Sequence, residues 1–410
     1  MAMKRKRNRS EEEVNNRKIE TRSMSRKNNL ANQKVGDKKN SVFLPLDLII
    51  VIFANLPLKS IAKFLCLSKL WRSIIGGKYF IDLFMTRSLT RPSFLFTHPH
   101  LTMDNKFFHS SSHESPSSLH HNGACTTLSH DYVMPTPVRG LICCRHGQKM
   151  RVCNPSTGQV VRLLNFKTGR IGITSFLGYD PVGDVYKVLC MTRDFKVRAP
   201  VVSSQHRVVS LGPPGTSRKQ KWRDIECEEL PHVPATNGLC VDGVVYYGAW
   251  TNSHRQGSMI VCFDVRQEVF RRLKSPEDVE IKHHRFELLR YHGKLALVDQ
   301  SYGGRVDMWV LVDVEKQEWS KDCVVVPCWL ELVGLRSFRF LGTIGTGECV
   351  FVPHSLPDPY PFFVVIYDRK KGEGRRVVIP RIGVNLSREA MDPDKVMTVF
   401  LDHVESLMLL

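Results

Sequence analysis

A loose repeat of about fifty residues runs through the second half of this chain. The glycine-led runs GVVYY at 243–247, GKLALV at 293–298 and GECVFV at 347–352 begin 50 and 54 residues apart. Each is followed by an apolar run ending on aspartate, at Asp264, Asp313 and Asp368, which lie 49 and 55 residues apart. Every unit reads as strand, loop, strand, Asp-turn, strand. The runs are short and rich in β-branched and aromatic residues, and Gly or Asp bounds them. Phe270 and Trp319 mark the last strand of the first two units. A period of this length with about four strands predicts a propeller blade of the kelch size class.

Two weaker units precede these. One joins GLICC from Gly140, MRVCN up to Asn154 and VVRL from Val160; the other joins FLGYD from Phe176, YKVLCM from Tyr186, Val208-Val209 and Trp222–Ile225. That makes five candidate blades. Residues 93–97 and 106–108 offer two further strands, and Met397–Leu401 and Ser406–Leu410 two more. Joining both chain ends in a sixth blade would leave no sheet edge open. The expected fold is therefore a small all-α module followed by an all-β domain, a six-bladed β-propeller.

The α module is the segment LPLDLIIVIFANLPLKSIAKFLCLSKLWR, residues 44–72. Pro45 suits a first helical turn, and Asp47 favours the positive end of the helix dipole. Ile49, Ile52, Phe53 and Leu56 form one apolar stripe, which Pro57 terminates. A second pattern, Ile61, Phe64 and Leu65, begins near Ser60. A third, Leu70, Trp71, Ile74 and Ile75, begins at the N-cap Ser68 and stops at Gly76-Gly77. Val51, Leu58, Leu67 and part of the first stripe are left over once one side of so small a bundle is buried. Either another protein covers them, or the helices cap the main body; periodicity leaves both open.

The spacing Leu44-Pro45-x-Asp47-Leu48-Ile49, Leu56-Pro57-x-Lys59-Ser60 and Phe64-x-Cys66-x-Ser68-Lys69-x-Trp71-Arg72 resembles an F-box. The likeness departs at Val51, where similar sequences usually carry an acidic residue. F-boxes bind the SKP adaptor of SCF-type cullin–RING ubiquitin ligases. The resemblance implies adaptor-facing or module-building roles for Leu44, Pro45, Leu46, Ile49, Leu56, Pro57, Ser60, Ile61, Ser68 and Trp71. The remainder resembles the F-box-associated domain of plant F-box proteins, a kelch-like or galactose-oxidase-like propeller. The matching phrases include Pro137-Val-Arg-Gly-Leu, Cys153-Asn-Pro-Ser-Thr-Gly, Leu177-Gly-Tyr-Asp-Pro and Ile344-Gly-Thr-Gly-Glu. Most are turn chemistry, so they identify the fold better than a ligand. In that family the domain recruits a substrate for ubiquitination. The implied role is a non-catalytic substrate-recognition subunit with an unknown protein target. A propeller scaffold with a degenerate F-box and a propeller-based enzyme are the alternatives.

Composition narrows the partners. The chain carries a net charge of +19, of which residues 1–40 supply +8 from thirteen Lys or Arg against five Asp or Glu. That tail lacks aromatic residues and is expected to be disordered. Its Lys4-Arg5-Lys6-Arg7 run reads as a solvated tail or a nuclear address. Domains are expected at 1–40, 41–85 and 91–410. There is no zinc finger, RRM signature or base-reading basic helix, so specific nucleic-acid binding is not expected. No apolar run is long enough to cross a bilayer, and the N-terminus lacks a signal peptide's apolar stretch, so no membrane is expected. The twelve cysteines include no Cys-x-x-Cys pair. They read as reduced thiols in cytosol or nucleus, with no metal or other cofactor expected. His109, His113, His120 and His121 sit among Ser, Pro and Asn and read as a loop. His283, His284 and His292 near Asp299 read as loop histidines. Trp309 and Trp319 read as core. No nucleophile elbow, P-loop or dinucleotide fingerprint is present, so no catalytic residue is assigned.

Overall fold

The computed structural model describes residues 44–99, 106–113, 119–125, 132–169, 171–193, 205–212, 221–227, 232–251, 257–276, 279, 286–300, 303–354, 362–379 and 398–408. The basic tail, Met397, Leu409, Leu410 and His283-His284 lie outside the described residues. Residue contacts divide the chain into two units, Met1–Ile52 and Phe53–Leu410.

Among the described residues four helices come first: α1 (Leu46–Ala54), α2 (Leu58–Leu67), α3 (Lys69–Ile75) and α4 (Lys78–Leu89). Asp47 falls in the first turn of α1. The N–H groups of Leu48 and Ile49 donate to the Pro45 carbonyl at 3.1 and 3.2 Å, so Pro45 caps the helix from outside its first turn. The Ser68 hydroxyl accepts the Trp71 N–H at 3.1 Å and caps α3, as its sequence position predicts. Gly76 ends α3. The third apolar pattern ends there, and the chain then enters α4, whose Phe80, Phe84, Met85 and Ser88 are buried at helical spacing.

The β-domain is six sheets. Blade 1 holds β1 (Ser93–Pro99), β2 (Lys106–Ser112) and β3 (Leu119–Cys125). Blade 2 is β4 (Ile142–His146), β5 (Lys149–Asn154) and β6 (Gln159–Arg162). Blade 3 is β7 (Ile171–Asp180), β8 (Val185–Arg193), β9 (Gln205–Leu211) and β10 (Arg223–Ile225). Blade 4 is β11 (Val233–Pro234), β12 (Leu239–Val241), β13 (Val244–Trp250), β14 (Ser258–Asp264) and β15 (Val269–Leu273). Blade 5 is β16 (Phe286–Tyr291), β17 (Lys294–Asp299), β18 (Arg305–Asp313) and β19 (Glu318–Val325). The short helix α5 (Trp329–Val333) leads into blade 6: β20 (Phe338–Thr343), β21 (Cys349–Pro353), β22 (Phe363–Asp368) and β23 (Glu373–Val378). Last comes β24 (Thr398–His403), which returns to blade 1 and pairs antiparallel with β1, Leu95 opposite Phe400 and Phe96 opposite Val399. Blade 1 thus has the order β24-β1-β2-β3.

The core is not inside the blades but between them. Each of six buried apolar clusters joins two successive blades. The cluster uniting the last blade with the first packs Val350, Val364 and Ile366 against Phe94, Phe96, Val399 and Leu401. The ring is therefore closed by apolar burial as well as by strand pairing.

Three expectations need correction. Residues 404–408 are not a strand, although Val404, Ser406 and Leu407 are buried. They run across blade 2, where Gly140 lets them approach. Gly140 has φ +82°, and a Cβ there would meet the Val404 carbonyl oxygen at 2.6 Å. His109 does not belong to a loop: it pairs with His121 between β2 and β3. Polar Ser and His residues hid the second half of β2 and the whole of β3, which offer few β-branched or aromatic residues to signal a strand. Trp309 and Trp319 are half-buried rather than fully core; Trp319 packs against the cluster between blades 4 and 5, whereas Trp250 is 4% exposed.

Candidate functional site

The residues singled out in the helical segment divide into builders and exposed groups. In the first unit Leu44 and Leu46 are 50% and 38% exposed, Pro45 is exposed and Ile49 is half-buried. In the second unit Pro57 is exposed, Leu56 and Ser60 are half-buried, and Ile61 is fully buried as a core residue of α2. Trp71 and Phe64 pack on Phe53 with ring centroids 5.0 and 4.3 Å away. Ser68 and Trp71 thus act locally: one caps α3, the other anchors it on the end of α1. Val51, Leu67 and Leu70 add further exposed apolar surface, at 42%, 68% and 61%.

Distant residues hold α2 and α4. Pro57 precedes α2 and brings no side-chain cap. The Glu405 carboxylate, from the end of the chain, accepts the Leu58 N–H at 3.2 Å instead. A carboxylate at a helix N-terminus both fills a donor and meets the positive dipole end. The Lys78 ammonium at the start of α4 pairs with Asp184 in the turn between β7 and β8. Tyr179 donates to the same carboxylate at 2.8 Å, and Arg139 lies over the Tyr179 ring at 4.4 Å. Burial raises the Asp184 carboxyl, but Lys78 and Tyr179 outweigh it and hold it below its ordinary value. Asn55 receives Arg91 through its side-chain oxygen at 3.0 Å. Neither Glu405 nor Asp184 carried a signal in sequence, because local spacing cannot show partners 347 and 106 residues away.

A second candidate site lies on the propeller axis. A cavity of about 420 Å³ is lined by residues from blades 2 to 6, among them Arg145, Ser175, Asn237, Glu287, Gln300, Arg339 and His354. Gln300 organises one wall: its amide donates to Glu287 at 3.3 Å and to the Phe340 carbonyl at 2.7 Å, while accepting the Phe340 N–H at 2.9 Å. Burial raises the Glu287 carboxyl, with Arg339 opposing. Burial also lowers Arg145 and His354, the latter helped by the Arg339 charge. Two guanidiniums and one carboxylate in a partly dry cleft suit hydrogen bonding to a polar or acidic chain segment. These residues come from strands and loops of five different blades, so no sequence window joins them.

Known proteins match both halves. A family model described as the F-box domain matches residues 43–83, and one described as the F-box associated beta propeller domain matches 93–404. The chain is 40% identical to the F-box/kelch-repeat protein At3g04660 of Arabidopsis thaliana over 400 residues, covering 94% of this chain and 98% of the relative. It is 36% identical to the F-box protein DOR of the same plant, covering 92% of this chain and 96% of the relative. Helical segment, six closed blades and full-length relatives agree: the chain belongs to the F-box proteins that carry an F-box associated β-propeller domain.

Proposed function

We propose that this protein is the substrate-recognition subunit of an SCF-type cullin–RING ubiquitin ligase, itself non-catalytic. Its F-box holds a SKP-family adaptor, and its propeller holds the protein to be modified, in the nucleus or the cytoplasm. The observation that carries this reading is the set of exposed apolar side chains within the matched F-box, Leu44, Leu46, Leu48, Val51 and Leu70 among them. Apolar groups left in water on so short a segment favour a partner that covers them. The axial cavity, with Arg145, Arg339 and Glu287, suits the target-binding end. The test is co-purification with a SKP adaptor. Combined replacement of Leu44, Pro45, Leu56 and Pro57 by alanine should abolish it while the β-sheet circular dichroism is retained. Adaptor recovered at the unmutated level would overturn the reading.

A further inference from the structure

Blades 3 and 4 meet at a cluster that the adaptor role does not use. His206 stands in β9, Cys227 just after β10, and His232 just before β11. One ligand-type atom from each lies within 4.8 Å of the other two. We propose that His206, Cys227 and His232 form a zinc site that clamps blade 3 to blade 4.

The geometry supports it at three levels. Tetrahedral zinc, with bonds of about 2.0 Å to imidazole and 2.3 Å to thiolate, sets ligand atoms roughly 3.5 Å apart. The Cys227 sulfur and His232 Nδ1 are already 3.9 Å apart. Small side-chain rotations therefore close the set. His232 is also held from behind. The Tyr247 hydroxyl, which donates to the Met191 sulfur at 3.7 Å, accepts the His232 Nε2–H at 2.7 Å. That bond leaves the Nδ1 lone pair turned towards Cys227, the arrangement that zinc-ligating histidines share. Finally, the site has walls. The Phe270 ring lies 5.2 Å from the His206 ring and 5.7 Å from that of His232. His206 and His232 are buried, while Cys227 is half-exposed and gives an ion its way in. Three protein ligands leave the fourth position to water, and the thiol proton leaves to solvent as the metal binds. The spacing, 21 residues then 5, matches no zinc-finger pattern, which is why no Cys-x-x-Cys search finds it.

The test uses the full chain purified without chelator. Elemental analysis should find about one zinc per chain, and cobalt loading should give the thiolate-to-metal absorption of a sulfur ligand. Cys227→Ser keeps the side-chain size and should lose both signals. Tyr247→Phe should bind zinc 10- to 100-fold more weakly. A wild-type chain that takes up neither zinc nor cobalt overturns the proposal, as does one that retains copper in zinc's place. Zinc kept at full occupancy in Cys227→Ser overturns it too.

Discussion

The repeated aspartate explains itself at the level of single atoms. The carboxylates of Asp264 and Asp368 accept two following N–H groups each, and that of Asp313 accepts the Lys316 N–H, all within 2.8–3.2 Å. Four residues after each, the backbone turns left-handed, at Glu268 (φ 62°), Gln317 (φ 56°) and Gly372 (φ 70°). Glycine is the easy residue there. The two exceptions use their side chains to reach the preceding blade. Gln317 accepts the Lys274 N–H at 2.7 Å. Glu268 receives Lys187 at 2.7 Å and Arg223 at 2.7 and 2.8 Å. Burial raises the Glu268 carboxyl, yet Arg223 and Lys187 hold it below its ordinary value, so the pairing outweighs desolvation. Lys187 and Glu268 side chains are each 12% exposed, so removing the charge strands a half-desolvated ammonium. Glu268→Gln should cost about 1–3 kcal/mol in a urea melt. Gln317→Gly should change stability much less, because relief of the positive φ offsets one lost hydrogen bond. The Asp spacing was legible in the sequence. The staples were not, since their partners lie in other blades.

At the scale of elements, start and stop signals located α1 to α3 within a few residues, because Pro57, Ser68 and Gly76 act on their own neighbours. Helix α4 carried no assignment of its own despite its buried Phe80, Phe84 and Ser88, although the module was expected to reach residue 85, because the apolar patterns were followed only to Gly76-Gly77. A glycine pair ends one helix without forbidding another. The long-range cap on α2 gives a second measurable consequence. Glu405→Ala removes the acceptor for Leu58 N–H and should destabilise the start of α2 by about 0.5–2 kcal/mol. Hydrogen exchange should accelerate at residues 58–61 while blades 3 to 5 keep their protection. Uniform acceleration throughout the propeller would show that Glu405 serves ring closure and not the helix. The axial cavity was illegible for a different reason: its lining is assembled from residues of five blades that lie far apart in sequence.

The whole molecule depends on a ring whose last strand is its first blade's innermost member. His403 in β24 is fully buried, and burial pushes it down to about 4. It is neutral in the folded protein, whereas the unfolded chain protonates it near pH 6.5. Its contribution is therefore complete above pH 6.5 and declines as pH falls towards 4, by up to about 3 kcal/mol. His403→Gln should flatten that part of the stability-versus-pH curve; an unchanged slope would assign it to other groups. The meeting of both termini in one blade was legible from the apolar C-terminus, but the lock that follows it was not. Asn154 occupies the place in blade 2 that aspartate takes in blades 4 to 6. Its Oδ1 accepts the Ser156 N–H at 2.9 Å, and Gly158, four residues on, has φ 74°. An aspartate would serve that turn equally well. The amide is needed for its other end, which donates to the Ser406 and Met408 carbonyls at 2.9 and 3.1 Å and pins the segment after β24. Asn154 is completely buried. Asn154→Asp restores the residue its sister turns use, yet sets a carboxylate against two carbonyls in a dry site. The loss should be about 3 kcal/mol or more at neutral pH, with partial recovery in acid as the carboxyl gains a proton to donate. Limited proteolysis should cut first near residues 404–408. A variant as stable as the parent at pH 7, with the C-terminal segment still protected, would show that β24 pairing closes the ring without the lock.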